Sequence, residues 1–376
     1  MPKRKGKSKQ RITDWTQLGD RRQDADFTRQ SLIRRAVKLP AHRATEVVEN
    51  LENLPRIEAM VIGFFPGGCQ VRHMGNLLLC SVAKTFRAPP GSSALAVGDQ
   101  VSVALTRREG EGEVAADMDR ADGIVLSRLP RRTVLSRPQI RSAKRRGKYD
   151  EQAQEQVIVA NMDVLLMVMA SRQPPLRQAL VDRFMIVAER GGLRPILVVN
   201  KLDLGRPDEG VLAELEELEL STLLCSAVTG VGLDALKAHL AGQRSVLAGP
   251  SGVGKSTLIN ALIPGTNAPT RQVRRRDERG RHTTSSARVY DIENGGMLVD
   301  TPGIREVGIQ IGPAELPWYF PEFEGPSRAC RFRDCTHTQE PGCAVQQAVE
   351  NGEIQPRRFE SYLRLLADLG ENMNRQ

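Results

Sequence analysis

The stretch that decides the fold is Ser245-Val-Leu-Ala-Gly249-Pro250-Ser251-Gly252-Val253-Gly254-Lys255-Ser256-Thr257-Leu-Ile-Asn-Ala-Leu262. Its centre, Gly249 to Ser256, matches G-x-x-x-x-G-K-[ST]. An apolar strand, Ser245 to Ala248, leads in, and a helical run from Thr257 leads out. That is the context a phosphate-binding loop requires. Its glycines let successive backbone N–H groups turn inward around phosphate oxygens at a helix N-terminus. Lys255 is then expected to reach the β- and γ-phosphates, and Ser256 to bind Mg²⁺.

Working outward, Asn200-Lys201-Leu202-Asp203 follows the strand Ile196 to Val199 and resembles the N-K-x-D guanine motif. The chemistry is selective. Guanine presents N1–H and a 2-amino donor on one edge, and the Asp203 carboxylate can accept both. Adenine would leave that carboxylate unpaired in a closed site. Asn200 is expected to brace the loop, with the stem of Lys201 against the base. Cys225-Ser226-Ala227 resembles the S-A element that touches the guanine oxygen through a backbone N–H. Asp300-Thr-Pro-Gly303 follows Met297 to Val299 and resembles D-x-x-G. There Asp300 would hold Mg²⁺ through water and Gly303 would donate its N–H to the γ-phosphate. Gly280-Arg-His282-Thr283-Thr284 fits a first switch, in which one threonine contacts Mg²⁺ and the γ-phosphate. Thr284 is grouped with Ser256 and Asp300 as the magnesium set, although spacing does not separate it from Thr283.

The 376 residues are 40% hydrophobic and 26% charged, which excludes a wholly disordered chain. The longest apolar run, Val164 to Ala170, is too short to span a bilayer. No apolar stretch follows the first charges, so no secretory signal is read. The expectation is a cytoplasmic protein with no membrane partner. Lys+Arg 54 against Asp+Glu 45 gives +9. The excess is clustered at residues 3–11, 128–148 and 271–281. Clustered basic charge suits a polyphosphate partner, because neutralising phosphates releases counterions.

Five segments read as short strands: Ala59–Ile62, Gly68–Arg72, Asn76–Val82, Gln100–Leu105 and Gly123–Leu126, with glycine and proline between them. They predict a barrel of oligonucleotide-binding (OB) type at 56–127. Residues 1–55 read as a flexible basic arm, with a short helix near Ala44 to Leu51. Residues 128–155 read as a basic, weakly structured linker. From 156 to 308 apolar strands alternate with helical stretches, the rhythm of a parallel α/β sheet. Residues 309–376 hold a Cys/His cluster and a helix with an apolar stripe at Phe359, Leu363, Leu366 and Leu369. Cys330-x4-Cys335-x-His337-x5-Cys343 offers three thiolates and an imidazole, the donors of a closed, structural Zn²⁺ site. Cys69, Cys80 and Cys225 fall in predicted strands and read as core.

The order of the nucleotide elements is rotated. N-K-x-D at 200 and S-A at 226 precede the phosphate loop at 249, whereas ordinary GTPases place them after D-x-x-G. A circular permutation does this at little cost when the original termini lie close together. The chain then leaves the GTPase just after D-x-x-G, so a γ-phosphate signal can pass into residues 309–376. With a basic arm, a barrel and a Cys/His module, the chain resembles the bacterial small ribosomal subunit biogenesis GTPases of the circularly permuted family. The resemblance covers about residues 55 to 370. It implies GTP hydrolysis, late action in assembly of the small ribosomal subunit, binding to its rRNA, and turnover stimulated by that subunit. Other assembly factors are further expected partners, and the chain is expected to be a monomer. Ile304 stands where many GTPases carry a water-orienting glutamine. His282 is therefore the candidate catalytic group, against a packing or RNA-contact role. Two rival readings are a metal- or protein-handling GTPase, its barrel and zinc module serving a protein partner, and a nucleic-acid-binding module with a vestigial nucleotide pocket.

Overall fold

The computed structural model describes residues 53–87, 95–106, 121–138, 155–266, 268, 287–301, 309 and 311–374. The expected helix near Ala44 to Leu51 and most of the expected arm lie outside the described residues. Strands β1 (Arg56–Phe65), β2 (Gly68–His73), β3 (Asn76–Val82), β4 (Gln100–Leu105) and β5 (Gly123–Arg128) close a barrel in the order β1-β2-β3-β5-β4. All five expected strands are present. Alternation drives closure: Ala59, Val61, Cys69, Val71, Cys80, Val101, Val103 and Val125 point inward and form its core. Cys69 and Cys80 are paired across β2 and β3. Burial pushes the first thiol up to about 11 and the second to about 12, so both behave as inert core groups.

The basic stretch after the barrel holds a strand that its composition hides. β6 (Val134–Pro138) pairs antiparallel with β7 (Glu155–Ala160). The reading of a weakly structured linker is thus corrected for these five residues. Leu135 is fully buried in the core of the following domain, and that single anchor outweighs the polar residues around it.

A six-stranded sheet follows, in the order β10-β9-β8-β11-β13-β12. Its strands are β8 (Val164–Ala170), β9 (Arg194–Asn200), β10 (Thr222–Leu224), β11 (Arg244–Ala248), β12 (Arg288–Ile292) and β13 (Gly296–Asp300). All neighbours run parallel except β12 and β13. Helices α1 (Gln178–Gly191), α2 (Glu209–Glu217), α3 (Leu233–Leu240) and α4 (Lys255–Leu262) cover the sheet. β8 is buried along its whole length. Its Leu165, Met167 and Met169 face one core, with Phe184 of α1, and Val164, Leu166 and Val168 face the other, with Leu236 and Leu258. Burial on both faces is why this strand reads as an unbroken apolar run.

Both flanking units are held by polar contacts. On the barrel side, Asp99 is fully buried and receives a bidentate pair from Arg131 at 2.7 and 2.8 Å. Asn161 donates to the Gly98 carbonyl at 2.9 Å. Arg72 of β2 grips Asp291 of β12 at 2.5 and 3.0 Å. On the other side stand α5 (Glu324–Ser327), α6 (Ala344–Glu350) and α7 (Pro356–Asn374). Their core of Phe320, Phe323, Val345, Tyr362 and Leu365 includes Ile186 from α1. Asp182 of α1 accepts from Arg357 at 3.0 Å and from Arg358 at 2.6 Å. Among the described residues no helix is long and apolar enough to cross a membrane.

Candidate functional site: a nucleotide cradle and a Cys/His cluster

Four sequence elements meet at one edge of the sheet because each follows the C-terminal end of a parallel strand. Asn200 ends β9, Cys225-Ser226-Ala227 follows β10, Gly249 follows β11, and Asp300 ends β13. The strand order reverses at β8, and α/β sheets bind ligands at such a switch point. Rotation along the sequence has left this spatial grouping intact.

The phosphate loop keeps its shape through two glycines. Gly249 has φ 142°, and a Cβ there would lie 2.2 Å from the Val168 carbonyl oxygen. Gly254, at φ 92°, caps α4, and a Cβ would meet Asn200 Nδ2 at 2.5 Å. No other residue fits either place. Lys255 Nζ donates to the carbonyls of Gly249 and Pro250, both at 2.7 Å, which holds the ammonium over the loop. Ser256 and Thr257 fall in the first turn of α4. Asp300 lies directly beside Leu247 of the phosphate-loop strand, one strand away.

Asn200 joins three elements. Its side chain is buried, donates to the Val253 carbonyl at 3.0 Å, and accepts from the Ala227 N–H at 3.0 Å. Phosphate loop, guanine-type motif and S-A element are thus fastened by one amide. Ser226 Oγ donates to Asp203 Oδ1 at 2.5 Å, fixing one carboxylate oxygen. Lys201 adopts a left-handed conformation, φ 68°, and its ammonium donates to the Gln173 carbonyl. That conformation is held by Ser171, which sequence reasoning did not single out. Its hydroxyl donates to the Lys201 carbonyl at 2.7 Å and its N–H to the Asn200 carbonyl at 2.8 Å. A lone serine after a buried strand carries no spacing that would reveal this role. Beside the loop a cleft of about 190 Å³ is lined by Ala170, Pro174, Pro175, Arg177, Pro250 and Ser251, among others. Gly280, His282, Thr283, Thr284, Gly303 and Ile304 lie outside the described residues.

The Cys/His residues also converge. Ligand atoms of Cys330, Cys335, His337 and Cys343 lie within 4.8 Å of one another. His337 Nδ1 stands 3.4 Å from Cys343 Sγ and 3.7 Å from Cys330 Sγ. A tetrahedral ion with metal–sulfur bonds of about 2.3 Å and metal–nitrogen bonds near 2.0 Å separates such donors by about 3.6 Å. The residues therefore fit a closed four-ligand metal site. Burial, with the Cys343 and Cys330 thiols crowded against it, pushes the Cys335 thiol up to about 12. The His337 backbone N–H works against this rise without overcoming it, and a bound cation would favour the thiolate further. The intervening loop is ordered by Glu340, whose carboxylate accepts from Thr336 at 2.7 Å and from Thr338 at 2.9 Å. Burial opposes its ionisation, but these bonds outweigh it and hold the group down at about 2.

Residues 128–310 match the family model described as RsgA GTPase. A relative from Gemmatimonas aurantiaca, named small ribosomal subunit biogenesis GTPase RsgA, is 38% identical over 74% of this chain and 86% of its own length. The chain belongs to the RsgA GTPase family. The crystal structure of YjeQ from Thermotoga maritima is 32% identical, with a TM-score of 0.61 over 84% of this chain and 99% of its own. The crystal structure of YloQ, titled a circularly permuted GTPase, has a TM-score of 0.61 at 24% identity, over 85% of this chain and 96% of its own. It shows the same fold. The permutation read from the order of motifs is therefore the architecture of the family, and the chain is a GTP hydrolase of that family.

Proposed function

We propose that this GTPase binds the small ribosomal subunit and its rRNA and assists a late step of the subunit's maturation. Hydrolysis is stimulated by the subunit and coupled to release. One observation carries the nucleotide half of the reading: Asn200 fastens the guanine-type motif to the phosphate loop while Ser226 orients Asp203. The printed names of the relatives support the ribosomal half.

In this reading Asp203 accepts the two guanine donors, Lys201 and Leu202 flank the base, and Ser226 and Ala227 close over its oxygen. Gly249 to Thr257 wrap the phosphates, with Lys255 exchanging its loop carbonyls for β- and γ-phosphate oxygens. Ser256, Thr284 and Asp300 would hold Mg²⁺, which supplies positive charge to the phosphate oxygens. Gly303 and one of the switch threonines, Thr283 or Thr284, contact the γ-phosphate, and His282 orients the attacking water. Cys330, Cys335, His337 and Cys343 would hold Zn²⁺, the borderline-soft ion that such a closed thiolate and imidazole set selects. The chain divides into an arm (1–55), a barrel (56–127), a basic segment (128–155), the permuted GTPase (156–308) and the zinc module (309–376). It works in the cytoplasm as a monomer, alongside other assembly factors.

GTP turnover with and without isolated small subunits tests the reading. Stimulation by small but not large subunits is the expected result. Equal rates in all three conditions would remove the ribosomal assignment and leave the GTPase.

A further inference from the structure

The loop between Cys330 and Cys335 carries an aromatic side chain that the module's core does not use. Phe332 is 41% exposed, although Phe320 and Phe323 of the same module are buried. The Arg331 guanidinium stacks on the Phe332 ring, 5.5 Å from its centroid. Arg333 is exposed beside it. The loop is short and pinned at both ends by the cluster. Its backbone is held by the Arg331 N–H, which donates to the Gly342 carbonyl at 3.3 Å, and by the Cys335 N–H, which donates to the Phe332 carbonyl at 3.4 Å. The tip is thus a rigid platform: one open aromatic face and two guanidiniums. Asp334 is an exposed acid within it, and Arg328 is paired with Glu324 at 2.6 Å.

We propose that Arg331, Phe332 and Arg333 form an RNA contact, in which an unpaired base stacks on Phe332 while Arg331 and Arg333 reach the flanking phosphates. The chemistry favours RNA over a protein partner. Protein hot spots use arginine too, but they cluster in well-packed pockets at the centre of an interface rather than on a lone loop tip. Phe332 is instead framed by Arg331 and Arg333, an arrangement that matches a base between two phosphates. Stacking on an aromatic face is sequence-tolerant, and unpaired RNA is read in this way. A pre-ordered loop also loses little side-chain entropy on binding. The inference rests on the proposed ribosomal function and names a place where that partner is touched.

The test uses the full chain, its metal retained, bound to isolated small subunits with a non-hydrolysable GTP analogue at several salt concentrations. Phe332→Ala weakens binding about tenfold with the salt slope unchanged, the scale of one lost base stack. Phe332→Tyr restores it. The double variant Arg331→Ala/Arg333→Ala lowers the slope of log affinity against log salt by about 1.5, the loss of two phosphate contacts. Metal content equal to the unsubstituted chain shows that the module is intact. With 4-thiouridine-substituted rRNA, the photo-crosslink maps to residues 331–333. Wild-type affinity in Phe332→Ala with metal retained overturns the contact while leaving the ribosomal reading in place. So does a crosslink from this peptide to a ribosomal protein and not to RNA. Failure of the unsubstituted chain to bind small subunits overturns both.

Discussion

Asp182→Ala should loosen the C-terminal module from the GTPase without unfolding either. Asp182 stands on α1 with its side chain 1% exposed, and it faces Arg358 at 4% and Arg357 at 20%. The substitution removes two charge-assisted hydrogen bonds, of 2.6 and 3.0 Å, each worth about 1.5–3 kcal/mol. Neither guanidinium is left bare. Arg358 keeps a bidentate pair with Glu322 and a place over the Phe320 ring, and Arg357 keeps Glu214 at 2.7 Å. Burial alone would lower the Arg358 pKa, but Glu322 and Asp182 outweigh it and hold it above the ordinary value. The expected cost is therefore near the lower sum, about 3 kcal/mol, or roughly 150-fold in the docked-to-undocked ratio.

Amide hydrogen exchange reads this directly. In Asp182→Ala the α7 amides exchange about 100-fold faster, while those of β8 are unchanged, because an opened module leaves the sheet intact. Burial also fixes an order. Glu322, 24% exposed, costs less when removed. Asp368, 56% exposed and paired with Arg183, costs about 0.5 kcal/mol or less. Protection of α7 in Asp182→Ala within threefold of the unsubstituted chain would refute the clamp, and so would an inverted order.

Asp203→Asn exchanges an acceptor pair for an amide, so the variant should prefer xanthosine over guanosine nucleotides in competitive binding; an unchanged GTP preference removes the guanine assignment. Asn200→Ala cuts both ties between phosphate loop, N-K-x-D and S-A, and GDP affinity by fluorescence titration should fall about 30-fold, the cost of a buried pair of hydrogen bonds; unaltered affinity would mean that the tie is not what shapes the cradle. Cys335→Ala leaves three ligands, and metal analysis after dialysis against a chelator should find less than one equivalent of zinc, while GTP still binds; a full equivalent would show the ligand set to be wrong. His282→Ala should retain GTP binding and docking but lose subunit-stimulated single turnover by about 10²-fold or more; an undiminished rate sends the search to other switch residues.

The nucleotide cradle was legible because its chemistry demands local strings. Gly249 and Gly254 are required by backbone clearance, a guanine reading asks for a carboxylate at Asp203, and a closed metal reading asks for the four Cys/His donors. Such constraints act on neighbours in sequence; the structure brings Asn200, Ser226, Gly249 and Asp300 to one sheet edge and gathers the Cys/His set separately in the C-terminal module. The barrel was legible through alternation, the simplest signal a half-buried strand gives. β6 was not, because Leu135 alone carries its burial among arginines and prolines. The clamp was hidden for a different reason. Asp182 and Arg358 are 176 residues apart, and each sits on a helix where a charged residue usually faces water. Only packing reveals that these positions turn inward.

The permutation gives the C-terminal module two attachments to the nucleotide site. One is the short connector after Asp300. Ile309 packs against both the sheet core and the module core, and Ile311 already belongs to the module. Any rearrangement at D-x-x-G therefore reaches the module within about ten residues, roughly 33 Å of fully extended chain at most. The other attachment is α1. Its N-terminal approach, Pro174 to Arg177, lines the cleft against Pro250 and Ser251, and Asp182 lies one turn further on at the clamp. A clamp worth about 3 kcal/mol is comparable to the differential binding that drives a typical switch of 1–3 kcal/mol. The γ-phosphate can then tilt the module only by carrying α1 with it or by breaking Asp182 from its arginines. In either case exchange at α7 should differ between GDP and a GTP analogue in the unsubstituted chain. In Asp182→Ala, where the module is already loosened, that difference should shrink. A nucleotide-dependent difference of the same size in both would place the coupling in the connector alone.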